Sequence, residues 1–436
     1  MDYLLFAIAL LLIISAGAGA TALLLRGAYS PGAGEFLGLS FLLGTAVTST
    51  GEFVLGLTLK GVVLKVAVSA ICVLLGLIAV TRLRQSIEFR KEHYTRLEWL
   101  CLAILLIQSL IVFWVSLRLS FAYDGLFLWE AKARLIFQAG GAMPSAFFRA
   151  DPAYLPHPNY PLLLPFTESW FYVFLGRPHQ GWLKLVLPLF YISAIGLMLR
   201  KPQGRNNRVY LPAILMFFVP VMMIRSTSGE ADFPLAVFYL ACGIYLLEFL
   251  TTQNYALLRL AATFAAILPW VKREGAILTI VVLFTGVIVL ARERRWRDAL
   301  LLCAPGVAWL LIWRLFLIVT GARVHPEYFP ISFATISTNI YRVPVIAVET
   351  SKDLLKWEKW SLLWLVPLRA FCSLNSYWPW LALIAAPIIL YAGIYVFSAW
   401  DPFTGHIDSS YSRLLTHVAL LTLAGIPGLK QKSTLR

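Results

Sequence analysis

Long apolar runs separated by short polar linkers occupy most of the chain. A bilayer crossing takes about 20 mainly apolar residues. On that length the pattern predicts spans at 3–25, 34–58, 61–81, 98–119, 181–199, 209–225, 233–250, 256–271, 274–291, 299–320, 360–376, 378–399 and 413–428. The expected fold is an all-α polytopic membrane bundle of roughly 11–13 helices. The runs at 34–58, 256–271 and 360–376 are short or interrupted. A further apolar stretch at 161–176, "PLLLPFTESWFYVFLG", carries Pro165 and Glu168 and would break the alternation of sides if it crossed. An interfacial helix against the outer leaflet is expected there.

Composition agrees with this pattern. Of 436 residues, 60% are hydrophobic and 14% charged, with a mean hydropathy of +0.77, outside the range of soluble globular domains. Many Trp and Tyr residues sit at the ends of apolar runs, where amphipathic rings favour the headgroup region. The first segment has Asp2 and no Lys or Arg ahead of its apolar stretch, which reads as a retained helix and not a signal peptide. The five cysteines, Cys72, Cys101, Cys242, Cys303 and Cys372, lie in or beside apolar runs with no CxxC or Cys/His cluster, so neither a disulfide framework nor a zinc site is indicated.

The net charge of +15 is spread in clusters between spans and forms no nucleic-acid-binding stripe. "RLRQSIEFRKEHYTR" from Arg82, "RKPQGRNNR" from Arg200 and "RERRWR" from Arg292 satisfy both the charge rule and the alternation of spans if all three are cytoplasmic, with the tail "KQKSTLR". Residues 120–180, "RSTSGEAD", "VKREG", the loop from about 321 to 360 and "AWDPFTGHIDSSYSR" then open on the opposite, extracytoplasmic face. Acidic residues left on the outer face would be the plainest account of this, but it does not explain the Arg and Lys beside them.

The candidate chemistry follows from that sidedness. Asp124, directly after a span in "YDG", can sit at the water boundary as a general base, although Asp before Gly is also a common turn. Glu130 and Arg134 are spaced to pair on a helix, with Lys132 on another face. "LPHPNYPLLLP" holds four prolines that deny helix and present His157 and Tyr160 on an extended approach to the membrane, where a lone His is more often structural. "RSTSGEADFPLA" places Arg225, Glu230 and Asp232 in a tight turn, with Ser228 or Asp232 suited to cap the next helix. "WVKREGAIL" sets Lys272, Arg273 and Glu274 at a span edge, and "HIDSSYSRLL" sets Arg413 at the start of the last span. Cations beside apolar spans are costly unless they meet an anion such as a lipid phosphate, or snorkel to the interface.

In this order, "YDGLFLWEAKA…HPNYPLLLP", "GEADFPLA", "KREGAIL" and "DSSYSRLL" resemble the GT-C superfamily of membrane glycosyltransferases, which includes protein O-mannosyltransferases and the aminoarabinose transferase of lipid A. The resemblance covers the chain from about Leu97 and implies transfer of a sugar from a polyprenyl-phosphate carrier at the outer face of a bacterial inner membrane. It implies three parts: 1–96 with N-terminal helices and a basic linker, a core at 97–320 with the catalytic-type loop 120–180, and 321–436 with an outer loop and the last helices. By resemblance Asp124 matches the base of the first large outer loop, Asp232 the acid at the second outer turn, and Lys272 a later basic residue. The chain departs from the family in having three spans ahead of the one leading into the loop, where many relatives have one, and in lacking an adjacent acidic pair.

The expected chemistry is a single inverting displacement. Asp124 is the base, with Glu130 and Asp232 as further catalytic candidates. Lys272, Arg273 and Arg413 would face the phosphate, and Lys132, His157, Tyr160, Arg225 and Glu274 are substrate-binding candidates. No cofactor is expected; some relatives use a divalent metal, but no ligand cluster is visible in the sequence. The expected partners are a lipid-linked sugar donor, a lipid, glycan or protein acceptor, and the bilayer, with no nucleic acid. A transporter or flippase of lipid-linked sugars would favour mid-membrane charges and repeat symmetry, and neither is visible. A scaffold would not need charges gathered on one face, and a surface-glycan polymerase or ligase differs mainly in acceptor.

Overall fold

The computed structural model describes residues 1–86, 94–151, 157–201, 209–324, 327–371 and 374–425. Residues 87–93, 202–208 and 430–436 of the basic stretches, Leu155 and Pro156 of the proline-rich stretch, and Cys372 lie outside the described residues. Cys72, Cys101, Cys242 and Cys303 are free. Among the described residues nine helices are long and apolar enough to cross a membrane, which makes the protein an all-α polytopic one.

Four long helices come first: α1 (Asp2–Leu25), α2 (Ala33–Gly56), α3 (Gly61–Ser86) and α4 (Arg96–Arg118). α4 starts at a capping box, in which the Thr95 hydroxyl accepts from the Glu98 amide at 3.3 Å and Glu98 accepts from the Thr95 amide at 2.9 Å. The loop after α4 opens with a π-helical stretch, Gly125–Glu130, and continues into α5 (Ala131–Gln138), α6 (Ser145–Arg149) and α7 (Leu163–Leu175).

The structure bears out a helix at α7 but corrects its setting. Leu163 to Tyr172 are buried without interruption. Phe171 stacks on Phe6 of α1 at 4.9 Å, Phe166 meets Phe53 of α2 at 6.2 Å, and Trp170 Nε1 donates to the Ala9 carbonyl at 3.0 Å. A helix apolar on every side is stable where every side is covered. Here protein provides that cover, so α7 is a core plug and does not lie on the leaflet.

Next come α8 (Gln180–Met198), α9 (Leu211–Phe217) and α10 (Pro220–Thr227). The run 209–225, expected as one span, is broken because Pro220 lacks an amide and drives Val219 into extended backbone (φ −102°, ψ 95°). Four helices with short connections follow: α11 (Asp232–Thr252), α12 (Tyr255–Val271), α13 (Gly275–Arg292) and α14 (Trp296–Thr320). α11 is the central helix, buried from Asp232 through Leu246.

The last part contains α15 (Phe333–Asn339), α16 (Val343–Leu354), α17 (Trp357–Trp360), α18 (Leu365–Phe371), α19 (Leu374–Ile394) and α20 (Phe403–Ala424). The expected span 360–376 is not one helix: Ser361 breaks it with a positive φ of 51°. Its hydroxyl donates to the Phe218 carbonyl, at the break between α9 and α10. Two interrupted stretches of chain therefore meet at this bond, on an exposed part of the bundle surface. α20 begins at Phe403, so the polar string from His406 to Arg413 is helical and is not the loop expected ahead of a span at 413.

The ends of the bundle are distinct. The Gly61 amide at the start of α3 donates to the Gly140 carbonyl in the loop that follows α4 (2.7 Å), so the basic end of α3 points away from that loop. At the far end Arg200 pairs with Glu248, and Arg292 lies over the Trp378 ring at 5.3 Å. Arg342 Nη1 donates to the Ser398 carbonyl at 2.7 Å on the loop side. Residues 343–371 thus carry the chain from the loop end to the basic end in short helical pieces.

Candidate functional site

Two glycines hold the exit of α4 against the turn between α10 and α11. The Ala122 amide donates to the Ser228 carbonyl at 2.8 Å, and a Cβ on Gly125 would lie 2.4 Å from that oxygen. Gly229 turns with φ +80°, and a Cβ there would strike the Phe121 ring at 2.7 Å. Asp124, one residue before Gly125, is thereby carried to Glu230 and Asp232. The expected cap of α11 is absent: neither Ser228 nor Asp232 caps the helix, and the Ser228 hydroxyl donates to Glu230 at 2.9 Å. Asp232 instead points into a set of cations.

Asp232 is fully buried, at 0% exposure. Its Oδ1 accepts from Lys272 Nζ at 2.7 Å and lies 3.1 Å from His417 Nε2. Its Oδ2 accepts from Arg413 Nη2 at 3.1 Å and Nε at 3.3 Å. An ionised carboxylate only accepts, which assigns the proton to His417 Nε2 and leaves Nδ1 to accept from the Tyr391 hydroxyl at 3.1 Å. Lys272 also lies 3.7 Å from Glu274. Such a buried charge is tolerated only because several partners surround it.

Arg413 bridges this buried centre to the more open side. Its Nη1 donates to Asp124 Oδ2 at 2.6 Å, and Nη2 lies 3.6 Å from Glu230 Oε1. Glu230 is held in turn by Arg225. The Asp124 side chain is 30% exposed and Arg413 18%, against 4% for Lys272. The cluster is therefore graded, with a sealed side at Asp232, Lys272 and His417 and an open side at Asp124.

A second group borders it. Arg273 sits 5.0 Å from the Tyr160 ring and 5.5 Å from the Tyr328 ring and pairs with Glu327 at 3.4 Å. His157 Nε2 lies 3.6 Å from Glu327, and its ring stacks on Tyr160 at 4.4 Å. Lys132 Nζ donates to the His157 carbonyl at 2.9 Å and lies 5.3 Å from the Tyr160 ring, 5.5 Å from Trp129 and 5.7 Å from Phe147. Burial pulls its ammonium down to about 7, with the Asp124 charge opposing. His157, Tyr160 and Lys132 thus fasten the proline-rich stretch to α5.

Glu130 stands apart. It accepts from Arg134 Nη2 at 2.6 Å, the expected helical pair, and from Tyr172 and Gln180 at 2.8 Å each. These partners come from α5, α7 and α8, so Glu130 ties the loop to the bundle and makes no bond to the Asp232 cluster. Both Glu168 oxygens are buried without a hydrogen bond beside it, and burial, followed by the Glu130 charge, raises the Glu168 carboxyl well above the ordinary range.

Of the residues singled out in the sequence, Asp124, Arg225, Asp232, Lys272, Glu274 and Arg413 come together, while His157, Tyr160 and Arg273 form the bordering group with Lys132. Sequence reasoning missed His417, Tyr391 and Glu327, and it named Glu230 without a role. The signal for His417 was a histidine inside the apolar run "LLTHVALL", where a polar side chain needs a partner. Among the described residues no group of three or more His, Cys, Asp or Glu is placed to hold a metal ion. Asp124, Glu230 and Asp232 each already face a guanidinium, so this donor set does not fit a divalent ion. Comparison with protein-family profiles, curated proteins and solved structures gives no match for the chain.

Proposed function

We propose that the chain is a membrane glycosyltransferase of the GT-C kind, transferring a sugar from a polyprenyl phosphate to an acceptor hydroxyl. The observation that carries this reading is the meeting of Asp124, Asp232, Lys272 and Arg413 at the bundle end away from the Arg200 and Arg292 linkers. If the basic end is cytoplasmic, the site opens on the outer face, where lipid-linked sugars are donors and nucleotide sugars are absent. The membrane would be a bacterial inner membrane.

In the step proposed, the acceptor oxygen attacks the anomeric carbon while its proton passes to the Asp124 carboxylate. The bond from that carbon to the phosphate oxygen breaks, its electron pair leaves with the polyprenyl phosphate, and the configuration inverts. Phosphate is already a good leaving group, so no second carboxylic acid is needed, unlike in a glycosidase. Arg413 stabilises the departing charge, and Asp232, with Lys272 and His417, sets its position.

The test is transfer by the purified protein from a panel of polyprenyl-phosphate sugars, scoring free carrier phosphate for the wild type and Asp124→Asn. Donor-dependent release that falls about 10²–10⁴-fold in the variant supports the reading. Absence of release from every donor, with carrier still bound, would replace it with transport of a lipid-linked sugar.

A further inference from the structure

The cluster is not a cationic pocket waiting for an anion. Asp124, Glu230, Asp232 and Glu274 face Arg225, Lys272 and Arg413, so the carboxylates outnumber the cations, and Arg273 is engaged by Glu327. A phosphate entering this arrangement meets no unpaired positive charge. Nor is Asp124 free to turn toward an acceptor, because its Oδ2 accepts a 2.6 Å bond from Arg413.

The partners of Arg413 are unequal. The edge formed by Nε and Nη2 is locked onto Asp232, which is fully buried and held also by Lys272 and His417. The Nη1 corner points to Asp124, whose side chain is 30% exposed. An incoming phosphodiester anion can displace the Asp124 carboxylate far more easily than the Asp232 one, because Asp124 moves into water and Asp232 has no water to move into. Phosphate and carboxylate are interchangeable ligands of a guanidinium corner.

We propose that the Asp124 carboxylate occupies, on Nη1 of Arg413, the place that the donor phosphate takes, so that phosphate binding and release of the base are one exchange. This rests on the glycosyltransferase reading and deepens it by locating the phosphate subsite. Without donor, Asp124 neutralises Arg413 and is held in place by it through Oδ2. With donor, the phosphate neutralises Arg413 and Asp124 is free to accept a proton, so the base becomes available only when a leaving group is in place.

The consequence runs against the usual effect of deleting a catalytic residue: Asp124→Asn should bind phosphate more tightly than the wild type. Farnesyl phosphate in detergent micelles, a short form of the departing polyprenyl phosphate, is the probe, with inorganic phosphate as the lipid-free control, titrated calorimetrically against full-length wild type, Asp124→Asn, Asp124→Glu and Arg413→Gln. The expected result is about five- to tenfold tighter farnesyl phosphate binding in Asp124→Asn, near wild-type binding in Asp124→Glu, and loss in Arg413→Gln. Tighter inorganic phosphate binding as well means that the headgroup alone suffices, whereas an effect on farnesyl phosphate alone means that the lipid is needed to reach Arg413. Unchanged or weaker farnesyl phosphate binding in an Asp124→Asn protein that melts like the wild type overturns the exchange. Transfer by the wild type is scored separately, so a failed exchange with intact transfer, or tightened binding without transfer, tells the two proposals apart.

Discussion

Asp232 and Glu130 are both buried carboxylates at the loop end of the bundle, and both hold an arginine. What surrounds them differs. Asp232 joins Lys272, just past the end of α12, and side chains of α20, all from distant parts of the chain, and its cations also face Asp124, Glu230 and Glu274. Glu130 joins Arg134, four residues on, with Tyr172 and Gln180, and Arg134 is 49% exposed. A neighbouring arginine, a phenol and an amide satisfy Glu130 and fix a loop. Several charges competing around Asp232 leave rearrangements open, as the proposed transfer requires.

The sharpest way to break this contrast is Asp232→Ala, which leaves Lys272 and Arg413 without their shared buried anion. A loss of about 3–5 kcal/mol is expected, read as a large fall in the melting temperature in detergent; a variant as stable as the wild type would show that the cluster is better hydrated than its burial implies. His417→Phe removes the proton that orients Asp232 and orphans the Tyr391 hydroxyl, at about 1–3 kcal/mol. Its transfer activity should fall while Asp124→Asn remains the weaker enzyme, and the double variant Tyr391→Phe/His417→Phe should recover part of the stability.

Glu130→Gln tests the other side of the comparison. Because Arg134 can turn to water, the loss should be about 1 kcal/mol, with turnover changed less than about threefold; a collapse of turnover with unchanged melting would put Glu130 among the catalytic groups. The smallest effect is a pH dependence at Lys132. Its folded-state value, about 7, lies below that of the unfolded chain, so from about pH 7 upward the unfolded state binds more protons and stability gains as pH rises. Lys132→Met lacks this gain, and any excess stability it shows at pH 6 should shrink by pH 9. A gap independent of pH would mean that Lys132 stays charged throughout.

Hydropathy made most of the long helices legible, because the crossing length and the apolar count are both local properties of the sequence. It misjudged α9 and α10, where an apolar run hides the backbone conflict at Val219 and Pro220, and it read 360–376 as one span. It started α20 too late for the opposite reason: "HIDSSYSR" looks like a loop until Asp124 and Asp232 are known to neutralise Arg413. The site residues from "YDG", "GEAD" and "KREG" were visible because charge at a span edge is conspicuous. Their assembly was not, since it depends on Gly125 and Gly229 allowing two backbones to touch. Glu327 and Tyr391 carry no local mark, and only three-dimensional packing picks them out.

The bond from Ser361 to the Phe218 carbonyl joins residues 143 positions apart. During synthesis the earlier segment reaches the bilayer with that carbonyl unpartnered, and its partner is not made until the ribosome has moved through α11 to α17. A chain ending before Ser361 lacks the donor of this bond, so truncation there should leave the break at Val219 without that tie.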